Sequence, residues 1–183
     1  MEKRGARHRR RKRTIHSVFE RFRPKRWRQL CTVGDRRYDD ALFLYQHGGI
    51  ERWNSALYLA GFAVELYLKA AMLKTHRWLA TANLTNLLME GDAWKLRLYD
   101  LFWRSHDLME LLAASPELRE QLEQESREQR RRGHAPTIAE VFSRVAEWNI
   151  VVRYTTIQVT RVKADAFMSS LKEVLTWLRK RIR

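Results

Sequence analysis

From Asp35 onward, aliphatic and aromatic positions recur at steps of three and four residues, glycine is confined to a few punctuating places, and no stretch alternates as a strand would. The pattern predicts five to seven helices. The first covers about Arg36 to Gln46, with Tyr38, Leu42 and Tyr45 on one side and Gly48-Gly49 as its stop. The second is the longest. Its stripe is Trp53, Leu57, Ala60, Val64, Tyr67 and Ala71, and its small residues Ala56, Ala60, Gly61 and Ala63 permit close approach of a neighbouring helix. Between Arg77 and Trp103 the periodicity is broken by Asn83, Asn86 and Gly91, which reads as a connecting excursion. Ser105 reads as the N-cap of a helix over Asp107 to Ala114. Ser115-Pro116 restarts a helix that runs through a polar stretch to Gly133. Thr137-Ile-Ala-Glu140 is a capping-box pattern opening a helix through Val145, Trp148 and Val152. The last helix spans about Ala164 to Ile182 on a stripe of Phe167, Leu171, Leu175 and Leu178.

Charge divides the chain differently. Residues 1–37 carry fifteen Lys and Arg against three acids, whereas the remainder carries twenty-one against eighteen. The expected organisation is a basic, partly disordered N-terminal arm over residues 1–34 and an all-α, up-and-down bundle of about five main helices over 35–183. In the arm, Arg9, Arg10, Arg11, Lys12 and Arg13 form a continuous run, and Arg21, Arg23, Lys25 and Arg26 lie around Phe19, Phe22 and Trp27. A concentrated cationic segment attracts polyanions by counterion release, an attraction that weakens steeply with salt. These nine cations are the candidate nucleic-acid contacts, with aromatics available to stack on bases or to pin the arm to the body. The alternative is a solvated tail or a protein-binding segment.

Ala56 to Leu73 is apolar but interrupted by Glu65 and Lys69, so it reads as a buried helix rather than a membrane span. The basic N-terminus has no apolar segment behind it, unlike a secretory signal. The single cysteine, Cys31, leaves no internal disulfide and no Cys-based zinc site. A reducing, cytoplasmic location without metal or cofactor is expected.

Four stretches together resemble one family. These are Ala56 to Ala71 with Glu65 and Lys69, then Ser105-His106-Asp107-Leu108 with Leu111-Leu112, then Trp148 through Arg153-Tyr154, and finally the closing helix with Trp177. Their order and spacing are similar to those of the HEPN domain, the "higher eukaryotes and prokaryotes nucleotide-binding" helical domain. The resemblance implies a bundle of four or five helices that dimerises. In active members an Arg, followed after four to six residues by a His, forms a metal-independent ribonuclease site at the dimer cleft. It also implies a toxin–antitoxin or phage-defence setting, with RNA, an antitoxin or an effector-complex protein as partner.

The chain departs from that motif. Arg153 stands at the expected place, but Tyr154 to Val159 contains no His, and Gln158 cannot cycle a proton near neutral pH. A literal match of the spacing joins Arg127 to His134, in an Arg-rich stretch where chance matches are frequent. His106, ahead of the helix opened by Asp107, is a further catalytic candidate. Glu65 and Lys69, four residues apart in an apolar helix, are expected to form a structural polar pair, with Arg153 as a second partner of Glu65.

Overall fold

The computed structural model describes residues 24–183, the side chains of Val151 and Arg153 excepted. It is an all-α bundle: α1 (Trp27–His47), α2 (Trp53–Thr75), α3 (Leu84–Glu90), α4 (Ala93–Arg104), α5 (Leu108–Ala113), α6 (Pro116–Arg131), α7 (Ile138–Ala146) and α8 (Arg161–Ile182). Three short 3₁₀ turns, Ile50–Arg52, Arg77–Ala80 and Ile150–Tyr154, complete the order.

α2 is the axis of the core. Ala56, Ala60, Ala63, Val64, Tyr67, Leu68, Ala70 and Met72 are all fully enclosed, and the helix is apolar on every side because neighbours cover every side. Ile50–Thr75 is long and apolar enough by composition to cross a membrane, with a mean hydropathy of 1.5, but 83% of that window is buried inside the bundle. α1 makes the most extensive contact with it. The close approach rests on Gly34, where an added Cβ would stand 3.1 Å from the Tyr67 ring and 3.3 Å from the Ala63 carbonyl.

α1 begins at Trp27, inside the segment expected to be arm, because Leu30, Cys31 and Gly34 continue the buried stripe of Tyr38 and Ala41 toward the N-terminus. The interspersed Arg28, Arg36 and Arg37 point outward and disguise that stripe. α8 runs antiparallel to α1. At one end Tyr45 donates to Asp165; at the other, Asp35 accepts from Tyr67 Oη at 2.7 Å and from Arg179 Nη2 at 2.9 Å, and pairs with Arg183. α8 is parallel to α2, with Lys74 Nζ donating to the Ile182 carbonyl at 3.2 Å.

The expected excursion between Arg77 and Trp103 is itself largely helical. Asn83 caps α3, Gly91 ends it at φ 68°, and Asp92 caps α4, which buries Leu98, Tyr99 and Phe102. Asn86, read as a breaker, lies inside α3. α5 is capped by Asp107 rather than Ser105: the Asp107 carboxylate accepts from the N–H groups of Met109 (2.8 Å) and Glu110 (3.0 Å), and Ser105 Oγ accepts from Asp107 N instead. α7 carries the expected capping box of Thr137 and Glu140 but stops at Ala146. Trp148 leaves the helix because its indole lies flat against α2 over Gly61, where a Cβ would come within 2.3 Å of the ring.

Candidate functional site

Glu65 is 1% exposed and lies on the apolar helix α2, so its charge requires partners. Lys69 Nζ, one turn later, donates to Oε1 at 2.7 Å, and His106 Nδ1 stands 2.8 Å from Oε2. Both oxygens are thereby taken. His106 is delivered to the flank of α2 by the link between α4 and α5; the side chain of Arg153, the partner expected from the sequence, lies outside the described residues. Four residues of linear spacing made Lys69 foreseeable; a contact across forty-one positions was not.

The arrangement has a defined chemical capacity. A carboxylate accepting from Nδ1–H fixes the imidazole in the tautomer whose Nε2 is unprotonated. The His106 side chain is 38% exposed while that of Glu65 is 1%, so the imidazole is partly open to solvent and the carboxylate that holds it is enclosed. Lys69, itself 9% exposed, supplies the countercharge from below.

The segment holding Arg153 packs on the same helix, nearer its N-terminus. Trp148 sits on Gly61, one turn before Glu65, and the 3₁₀ turn Ile150–Tyr154 follows it against α2. The stretch after the turn is pinned by buried Asn54, whose Nδ2 donates to the Ile157 carbonyl at 2.8 Å and whose Oδ1 accepts from Val159 N at 3.1 Å. A cavity of about 290 Å³ lies here, lined by Leu57, Trp148, Val152, Val159 and Phe167 among others. The Arg153 side chain itself falls outside what the structure describes.

Arg127 and His134 have different surroundings. Arg127 Nε donates to the Glu123 carbonyl at 3.3 Å on the outer side of α6, whereas His134 lines a groove of about 690 Å³ between α6 and the end of α8. Arg9, Arg10, Arg11, Lys12, Arg13, Arg21 and Arg23 lie outside the described residues. Lys25 and Arg26 are exposed at the start of α1, where both backbone N–H groups donate to Gln29 Oε1. Among the described residues no three His, Cys, Asp or Glu side chains converge as metal ligands would.

The sequence offered no signal for the role of Asn54, since a polar residue at a helix start is common; Gly61 was legible as a place of close approach, but not that the Trp148 indole fills it. Comparison of the chain with protein-family models, with curated proteins and with solved structures finds no match.

Proposed function

We propose that this chain is a HEPN-like RNA-binding protein of a toxin–antitoxin or phage-defence system, working as a homodimer, with nuclease activity weak or lost. The observation that carries the reading is the charge division: fifteen Lys and Arg against three acids in residues 1–37, on a body close to neutrality. Such a segment binds phosphate backbones by releasing counterions and needs no sequence readout to do so. The helical fold and the polar Glu65–Lys69–His106 cluster are compatible with that family's architecture. The test is retardation of labelled RNA by the full chain in EDTA, across a salt series. Salt-sensitive retardation without fragments is the expected result; absence of binding at low salt would remove the reading.

One observation favours a second reading, a metal-independent ribonuclease: the half-exposed ring of His106 is held through Nδ1 by a buried carboxylate, which leaves Nε2 as its unengaged nitrogen. On an RNA strand that nitrogen takes the proton of a 2′-hydroxyl, the oxygen attacks the adjacent phosphorus, the P–O5′ bond breaks, and the proton leaves with the 5′-oxygen. Fragments formed in EDTA by the wild type and lost in His106→Asn, with retardation retained, would place this reading first.

A further inference from the structure

We infer that the folded body makes its own contact with the RNA strand: a cationic platform around Trp27, where α1 begins and α2 and α8 end, takes the phosphodiester backbone beside the arm. The inference rests on the RNA-binding reading for its ligand, but it places part of the contact on the bundle rather than on the arm. Three element ends meet here. Lys74, in the last turn of α2, has its Nζ 5.1 Å from the centre of the Trp27 ring and donates to the Ile182 carbonyl of α8 at 3.2 Å. The Arg28 guanidinium also stands 5.1 Å from the centre of that ring. Trp27 itself is half-buried, whereas Arg28, Lys74 and the two residues ahead of Trp27, Lys25 and Arg26, are exposed.

Fold stability does not account for these charges. A helix dipole disfavours cations at its N-terminus, yet α1 has Lys25 ahead of it, Arg26 at its N-cap and Arg28 in its first turn, with no acid in that turn. The N-cap ordinarily holds Ser, Thr, Asp or Asn. Lys74, at the end of α2, is the one cation of the four that its own helix favours. Nearby carboxylates do not neutralise the set, since among the described residues none of the four has an ion pair. Asp35 on α1 is taken by Arg179 and Arg183, two guanidiniums on one carboxylate, and Glu125 on α6 is taken by Arg181. Glu117 lines a cavity together with Lys74 but makes no ion pair with it.

The surface suits a phosphate strand rather than a bilayer. A helix that binds a membrane surface pairs its cations with an apolar face that enters the lipid. None of the apolar side chains more than half exposed lies at the start of α1 or at the ends of α2 and α8. Phosphate oxygens, by contrast, need only charge and N–H donors, which guanidinium and ammonium groups supply without reading bases. Arg28 and Lys74 are already placed against the Trp27 ring, so less side-chain freedom is lost when a phosphate binds them. The basic segment also runs in sequence directly into Lys25 and Arg26, so a strand held by the arm reaches the platform without a break in charge.

The experiment uses the full chain, titrated with a short single-stranded RNA across a salt series, as wild type and as the pair Arg28→Gln with Lys74→Gln. In ¹⁵N-labelled protein the indole N–H of Trp27, assigned with Trp27→Phe, is followed in the same titration. A saturable shift of that indole is expected. Each phosphate neutralised on a single strand contributes about 0.7 to the slope of log K against log salt, so the pair should be shallower by about 1.4. The charge-keeping pair Arg28→Lys with Lys74→Arg should keep the wild-type slope. A control pair, Arg97→Gln with Lys163→Gln, removes the same charge from α4 and from the opposite end of α8 and should also keep it. An unchanged slope in the Arg28 and Lys74 pair while the wild type binds RNA would overturn the platform and leave the arm's role standing. Equal losses in the control pair would overturn it too, because net charge rather than place would then be responsible. No binding by the wild type would remove the RNA-binding reading itself. Tighter binding at equal salt to vesicles of phosphatidylcholine and phosphatidylserine, or to polyglutamate, than to RNA would overturn the strand as the ligand.

Discussion

Glu65 shows how one residue in an apolar helix constrains its surroundings. With both oxygens satisfied by Lys69 and His106 it is tolerated; with the carboxylate removed, Lys69 remains as a buried, unpaired charge. Glu65→Ala should therefore destabilise the fold by about 3–5 kcal/mol, read from the denaturant midpoint. His106→Ala should cost far less, because its ring is partly exposed and the Lys69 pair survives. Gly61 acts through absence: a methyl there would meet the Trp148 indole at 2.3–2.4 Å. Gly61→Ala should lose about 1–3 kcal/mol by overpacking and alter the near-ultraviolet signal of Trp148, because the ring must leave α2. Neither the Glu65–His106 contact nor the seat of Trp148 was legible in the sequence. Both join residues far apart in the chain, and local spacing carries no information about such pairs.

At the scale of elements, local chemistry was the better guide. The capping box of Thr137 and Glu140, the restart at Ser115-Pro116, the ends at Gly48 and Gly133 and the long span of α2 all depend on neighbours within one turn, and all stand where the pattern places them. The departures have physical causes. α1 starts early because three small or apolar residues sustain its buried face among arginines. α7 ends early because tertiary packing of Trp148 outweighs continued helix. The N-cap of α5 moved by two residues because Asp107 presents a carboxylate to two N–H groups, whereas the one N–H that Ser105 Oγ accepts from is that of Asp107. Asp107→Ala should cost about 1 kcal/mol in thermal or chemical unfolding, whereas Ser105→Ala should cost only a few tenths.

For the whole molecule, the all-α fold class was legible because periodicity reports it directly. The bundle's stability should also depend on pH through His76, at the end of α2. Burial pushes its pKa below the ordinary 6.5, partly offset by the Ala114 carbonyl. Between the lowered folded value and 6.5 the unfolded chain binds the proton and the folded chain does not, so stability falls as pH drops through 6.5 and levels off below the folded value. An unfolding series from pH 8 to 5 should show this loss, and His76→Gln should flatten it.

The central claim is that the basic segment binds RNA through its phosphates. It is tested most directly by the slope of log K against log salt for a single-stranded RNA, measured for the full chain and for the variant with Arg9, Arg10, Arg11, Lys12 and Arg13 changed to Gln. Each phosphate neutralised on a single strand contributes about 0.7 to the slope, so the variant's slope should be shallower by up to about 3.5, with affinity lowered accordingly at low salt. Equal slopes and equal affinities for the two proteins would contradict the account.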